Sequence, residues 1–124
     1  MVRLFLGLAG ASGAIAVAAG ALASHGLASR LSPEAIAVFQ TGVRYQMYHA
    51  IALLAVALLL ATAKFKALPL IAAGAAFVVG AILFSGSLYL ISGLGVTSVG
   101  ILTPIGGVIL IGGWCCLIGA AFSQ

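Results

Sequence analysis

Long apolar runs alternate with short polar segments along this chain, and the pattern predicts membrane-spanning helices. Uncharged apolar residues dominate four runs, at residues 4–23, 45–62, 67–91 and 104–122. A helix needs about 20 apolar residues to cross the ~30 Å hydrocarbon core of a bilayer. The sequence therefore predicts an all-α membrane protein, with one four-helix transmembrane domain over residues 1–124. Because the connections are short, we expect an antiparallel bundle.

The second run needs residues upstream of its most apolar part. Residues 50–62 alone would give about 20 Å of helix, which is too short to cross the core. A helix start lies further upstream, where Ser32 is a good N-cap, Pro33 suits the first helical position and Glu34 suits the positive end of the helix dipole. The segment between them is amphipathic. We therefore expect an amphipathic helix that leads into the second span without a break.

The first run also has features of a secretion signal. Arg3 precedes it, and Ala21-Leu22-Ala23 has the form of a cleavage site. The run at residues 4–23 is longer than the ~7–15 apolar residues of a typical signal peptide, however, and three more runs follow. We expect this helix to be retained in the protein.

Polar residues of the four runs are expected at one end of the bundle. In an antiparallel bundle the first and third helices end on the side where the second and fourth begin. Ionisable residues inside a membrane are costly and usually face the bundle interior or a water-filled cavity. We therefore predict a polar half-cavity centred on His49, with these candidate residues: His25, Tyr45, His49, Ser85, Ser87 and Tyr89.

A simpler interpretation of His49 is structural, and we favour it. Tyrosine is enriched near the membrane surface, and His49 would then be an anchor that hydrogen-bonds a serine of the next helix. The most favoured function is accordingly a structural, assembly or accessory component of the membrane. One alternative is an oligomeric protein that binds or conducts a small solute or ion, with a helix break at residues 85–87. Another is a membrane enzyme that uses His49 with Ser85 or Tyr45.

Small residues and one tryptophan raise questions about helix packing. Ser12, Ala16 and Gly20 are spaced by four, a pattern that favours close packing inside the bundle or, alternatively, a homo-oligomer interface. Thr103 is expected to cap the fourth helix. Trp114 is predicted near mid-bilayer, where its indole N–H needs a partner from another helix or a second chain.

Composition and charge exclude several classes of protein. Only 5% of residues are charged, whereas a soluble domain carries about 25%. The net charge of +4 is scattered, so we expect the lipid bilayer and no nucleic acid as a partner. Two histidines and one acidic residue give no metal-ligand spacing, and no cofactor is expected. The adjacent Cys115 and Cys116 point to different faces of a helix, which does not favour a redox site.

Orientation follows from the positive residues beside the runs. Three of them lie on the side of the chain termini and two on the other, which favours a cytoplasmic-membrane protein with both termini inside.

Several motifs also resemble a known family. They occur in this order: His25-Gly26-Leu27, Leu31-Ser32-Pro33-Glu34-Ala35, Phe39-Gln40-Thr41, Tyr45-Gln46-Met47-Tyr48-His49-Ala50, Leu83-Phe84-Ser85-Gly86-Ser87-Leu88-Tyr89-Leu90, Thr103-Pro104-Ile105-Gly106-Gly107 and Gly113-Trp114. The chain thus resembles the small four-helix membrane proteins of the domain of unknown function 423 family, relatives of transmembrane protein 256. It departs from the family pattern at residues 21–24. The resemblance implies a bacterial cytoplasmic-membrane protein and no assigned catalytic residue.

Overall fold

Four long helices make up nearly all of the computed structural model, which describes residues 1–123. They are α1 (Val2–Leu22), α2 (Pro33–Thr62), α3 (Ala67–Leu94) and α4 (Leu102–Phe122). Each is long and apolar enough to cross a membrane. The predicted all-α class with four candidate spans is confirmed.

The second helix begins where its sequence signals place it. The Ser32 hydroxyl accepts a hydrogen bond of 3.1 Å from the N–H of Ala35, and Pro33 occupies the first turn. From there α2 runs without interruption for 30 residues, which is about 45 Å of helix. The predicted continuity between the amphipathic segment and the second span is confirmed, because no residue in this stretch breaks the helix.

Three helix boundaries differ from the sequence-based expectation. The third helix ends at Leu94, three residues later than predicted. The first helix continues beyond its predicted end at Ala23 through a π-helical turn, Ala23–Leu27, because no proline or capping residue stops it there. The fourth helix begins at Leu102 without a side-chain cap. The predicted cap at Thr103 is wrong, because that hydroxyl forms a hydrogen bond with Ser87 instead.

The remaining boundaries use left-handed residues and a short turn. Ala63, with φ of 52°, ends α2, and residues 63–66 connect it to α3. Gly95 ends α3 with φ of 69°, a conformation that glycine adopts without steric cost. A 3₁₀ turn at Thr97–Val99 then leads into α4.

The α2 and α3 helices form the centre of the molecule. The first helix packs mainly against α2 and the fourth against α3. The α3–α4 seam depends on glycine: a Cβ atom at Gly106 would lie 2.5 Å from the backbone nitrogen of Phe84 and 2.9 Å from the carbonyl oxygen of Gly80. In lipid the hydrophobic effect does not drive helices together, so van der Waals contact between closely packed backbones holds them instead.

The small residues of α1 divide into two groups. Ala16 is fully buried, and a Cβ atom at Gly20 would meet Val43 of α2 at 3.4 Å, so the face with Ser12, Ala16 and Gly20 packs inside the molecule. By contrast, added Cβ atoms at Gly7, Gly10 and Gly13 would have no neighbour within 4 Å. The preference for internal packing therefore holds for only part of the small residues of α1.

A continuous apolar core fills the half of the molecule away from the polar side chains. Phe77 belongs to this core and also contacts the ring of His49, with centroids 5.5 Å apart. The core is formed by Phe5, Ala9, Ala52, Leu53, Val56, Ala57, Leu70, Ala73, Phe77, Leu110 and Ala120.

Candidate functional site

His49 is buried in α2, and both of its ring nitrogens have partners. Nδ1 lies 2.7 Å from the carbonyl oxygen of Tyr45, one turn earlier in the same helix. The indole N–H of Trp114 in α4 donates to Nε2 at 3.2 Å. Since an indole N–H only donates and a carbonyl only accepts, Nδ1 must carry the proton of a neutral ring. The ring thus joins α2 to α4 and has no nitrogen left for a substrate.

Aromatic rings surround this hydrogen bond. The Trp114 ring meets His49 edge to face, with centroids 6.1 Å apart, and lies 5.2 Å from Phe77 of α3. Edge-to-face contacts are favourable for aromatic pairs. The partner that Trp114 required is therefore a side chain of the same molecule. The proposed bond from His49 to a serine is wrong, because the tryptophan occupies the nitrogen that faces away from α2.

A second polar connection joins the first three helices through Gln46. Its Nε2 donates to the carbonyl oxygen of Ser12 in α1 at 3.0 Å. Its Oε1 accepts a hydrogen bond of 2.6 Å from the Tyr89 hydroxyl of α3. Because the Ser12 carbonyl can only accept, these two bonds fix the orientation of the amide. Gln46 thus links both flanking helices to α2.

The two serines of α3 at residues 85 and 87 have different surroundings. Ser87 Oγ lies 2.6 Å from the Thr103 hydroxyl of α4 and donates to the carbonyl oxygen of Phe84 at 2.9 Å. Each hydroxyl has one proton to donate. Ser87 donates its proton to the Phe84 carbonyl, so Thr103 donates to Ser87. Ser85 is 1% exposed, and its hydroxyl has no hydrogen-bond partner within residues 1–123. Ser87 therefore joins two helices, whereas Ser85 joins none.

A pocket of about 340 Å³ lies between α1 and α3 with α2 as its floor, and we call it the α1–α3 groove. Polar groups of four residues line it: Ser12, Gln46, His49 and Tyr89. The rest of the lining is apolar, mainly Leu8, Ile15, Leu53, Phe77, Val78 and Ile82. Its volume falls within the ~300–1,000 Å³ typical of small-molecule sites.

The structure separates the candidate residues that the sequence grouped together. His49 and Tyr89 line the α1–α3 groove, whereas Ser85 and Ser87 are buried outside its lining. Tyr45 is 41% exposed. Its backbone carbonyl accepts the hydrogen bond from His49, and its ring stacks on the His49 ring with centroids 6.2 Å apart. His25 is exposed in the π-helical turn that follows α1. The groove is lined by three helices rather than the four of the predicted cavity.

Gln46 and Ser12 are groove residues that the sequence argument did not select. Gln46 lies between two tyrosines in a segment read as interfacial, and only its contacts with α1 and α3 reveal its role. Gln46 is only 8% exposed in the structure, and a buried amide needs hydrogen-bond partners. This burial is what identifies Gln46 as a residue that joins helices.

Two alternative functions receive no support from this geometry. The third helix is continuous through residues 85–87, so the helix break expected for a transporter is not found there. Within residues 1–123, no hydrogen bond joins His49 to the hydroxyl of Ser85 or Tyr45. His49 is therefore not placed as a general base for either hydroxyl, as the enzyme hypothesis requires. No group of three potential metal ligands occurs in the same part of the chain.

Four apolar helices with an internally bonded polar cluster define a multi-pass helical membrane protein. The family described as "Protein of unknown function (DUF423)" matches residues 19–107, and the chain belongs to this family.

Relatives share nearly the whole length of the chain. The UPF0382 membrane protein of Haemophilus influenzae is 40% identical, with 100% of this chain and 98% of the relative covered. YwdK, the UPF0382 membrane protein of Bacillus subtilis, is 36% identical, with 97% of each chain covered. A Staphylococcus aureus relative is 37% identical over 98% of this chain and 97% of its own. No solved structure matches the chain significantly.

Proposed function

We propose that this protein is a structural, assembly or accessory component of the cytoplasmic membrane that acts through lateral association of its helices. The observation that carries the proposal is the internal bonding of the polar cluster. His49 bonds to α4, Gln46 bonds to α1 and α3, and Ser87 bonds to α4. These groups hold neighbouring helices together, which leaves the outer helix faces as the surfaces available to a protein partner.

The outward face of α1 supports association with a second copy of the chain. Gly10, Ala14 and Ala18 are spaced by four and are all exposed. Small residues at this spacing let two helix backbones approach closely, which is the main source of attraction between helices in lipid. We therefore propose a homo-oligomer that forms through α1.

The positive residues support an orientation with both termini inside the cell. Arg3, Lys64 and Lys66 are exposed near one end of the helices, and Arg30 and Arg44 are exposed toward the other. Positive residues favour the cytoplasmic side. In this orientation the end of the molecule that carries His49 and Tyr89 faces outward.

Native mass spectrometry on the protein released gently from its own membrane tests the proposal. We expect a defined homo-oligomer for the wild type and a shift to monomer for Gly10→Leu, because leucine would separate the two α1 backbones. Gly112→Leu is the matched control, since Gly112 of α4 is equally open and lies away from α1. A second protein at fixed stoichiometry in place of a second copy would support the accessory role but reject self-association.

A wild-type protein that remains a monomer and carries no protein partner would contradict the proposed function. An oligomer unchanged by Gly10→Leu would instead show that α1 is not the interface.

A further inference from the structure

The α1–α3 groove has unused hydrogen-bonding capacity at its polar wall. The amide nitrogen of Gln46 carries two protons, and the Ser12 carbonyl accepts one of them. The Tyr89 hydroxyl donates its proton to Gln46, so its oxygen can still accept. Ser12 lines the groove, and its hydroxyl forms no hydrogen bond within residues 1–123. A ligand with both a donor and an acceptor would match these groups.

The groove is uncharged throughout the described residues that line it. No lysine, arginine, aspartate or glutamate is among them, and the bonds of His49 require a neutral ring. A charged group in a low-dielectric site is costly unless it is paired. The lining therefore favours an uncharged headgroup over a phosphate or a free carboxylate.

The groove is also open sideways toward the lipid. Ile15 of α1 and Ile82 of α3 stand at its rim and are 56% and 66% exposed. The ring of Phe5 in α1 packs against Gly74 of α3 near the start of both helices. A molecule dissolved in the bilayer can thus enter between α1 and α3 without crossing a water-exposed surface.

The groups with free hydrogen-bonding capacity and the apolar lining are arranged along the helix axis. His49 lies beside Phe77, but both of its ring nitrogens are already bonded. Tyr89 lines one end, and Phe77, twelve residues earlier in α3, lines the other, a separation of about 18 Å of helix. Tyr89 lies near the end of α3, close to one end of the molecule. This arrangement suits an amphiphile with its headgroup beside Tyr89 and its chain directed toward Phe77.

We propose that the α1–α3 groove binds an uncharged acylglycerol. Its free hydroxyl donates to the Tyr89 oxygen, and its ester carbonyl accepts from the Gln46 amide or the Ser12 hydroxyl. One acyl chain lies along the apolar lining, and the remainder stays in the bilayer. This binding site goes beyond the proposed assembly role, whose interface is the outward face of α1 rather than the groove.

A second groove in the same molecule provides an internal comparison. The α1–α2 groove, on the other side of α1, has a volume of about 450 Å³ and is lined by Gly10, Gly13, Val17, Met47, Ile51 and their apolar neighbours. It has more space but no polar side chain. Binding by hydrophobicity alone would fill this groove, whereas headgroup recognition selects the α1–α3 groove.

The experiment measures dioleoylglycerol bound to the full chain by native mass spectrometry. We expect one bound molecule per chain and at least about a tenfold loss in Gly86→Leu, because Gly86 lines the groove and a Cβ atom there has no neighbour within 4 Å. Gly86→Leu thus fills the groove without breaking an existing contact. Gly10→Leu fills the α1–α2 groove in the same way and should retain binding.

Headgroup recognition is tested separately. Tyr89→Phe should weaken dioleoylglycerol binding about fivefold, the effect of one hydrogen bond. Dioleoyl phosphatidylglycerol, with the same chains and a negative charge, should not compete at equal concentration. No detectable dioleoylglycerol adduct, equal binding by Gly86→Leu and wild type, or equal competition by the charged lipid would each overturn the proposal.

The two proposals fail independently. Gly10→Leu should disrupt the oligomer and leave the acylglycerol bound, whereas Gly86→Leu should do the reverse.

Discussion

The α3–α4 seam and the α1–α3 groove differ in how closely their two helices meet. At the seam, Gly106 brings the α4 backbone against Phe84 and Gly80, leaving no space for a single added carbon. At the groove, the Phe5 ring of α1 contacts Gly74 of α3, and a pocket of about 340 Å³ lies between the two helices. The helices meet closely at the seam because glycine has no side chain. Across the groove, the polar side chains of Gln46 and Tyr89 connect the helices.

The difference shows that two kinds of contact hold the helices together in this molecule. Van der Waals contact between backbones holds the seam, and such contact is lost sharply when a side chain intervenes. Across the groove, Gln46 and Tyr89 span the gap with two hydrogen bonds. Close backbone contact at the seam therefore coexists with an open pocket at the groove.

Breaking the seam should have the largest effect. We expect Gly106→Ala to lower the free energy of unfolding by about 2 kcal/mol, because the new methyl group meets backbone atoms that cannot move aside. Gly112→Ala is the control, because its Cβ atom has no neighbour within 4 Å. Reversible unfolding in mixed micelles would measure both, and equal stability of the two variants would contradict the proposed importance of the seam.

Removing the polar bridge should have an intermediate effect. Gln46→Leu keeps the side-chain size and removes the bonds to Ser12 and Tyr89, so we expect a loss of about 1–2 kcal/mol, at ~0.6 kcal/mol or more for each bond. A double-mutant cycle with Tyr89→Phe isolates the bond between them. Strictly additive effects would show that this bond contributes nothing to stability.

The two serines of α3 should give the smallest and sharpest contrast. Ser87→Ala removes the bond to Thr103, and we expect a loss of about 0.6 kcal/mol. Ser85→Ala removes a buried hydroxyl with no partner in the described structure, so it should be neutral or slightly stabilising. The same unfolding assay compares them, and a larger loss for Ser85→Ala would mean that its hydroxyl has a partner outside this chain.

Helix number, class and several ends follow from local physics. Apolar runs that match the bilayer thickness predict the spans, and the Ser32 cap predicts where α2 begins, because both depend only on nearby residues. The spacing of Ser12, Ala16 and Gly20 correctly marks a face that packs inside the molecule. Thr103 shows the limit of local reasoning, since a hydroxyl suited to a cap bonds another helix instead.

The partners of polar groups were decided by tertiary structure. The sequence showed that Trp114 needs a partner but not that His49 is that partner, because the two residues are 65 positions apart. It did not distinguish Ser85 from Ser87, whose side chains point to different faces of α3 and meet different neighbours. The sequence did not indicate the role of Gln46, because that role depends on α1 and α3 lying on either side of it.

The sequence by itself determined a chain of four apolar helices with its polar residues gathered in a few segments, because helix formation and membrane insertion depend on local composition. Only the tertiary structure decided which glycines close a seam, which ones remain open, and where a pocket is left between helices. Those outcomes depend on how helix surfaces far apart in the chain fit together, and an amphipathic pattern in one helix carries no information about the shape of its neighbour.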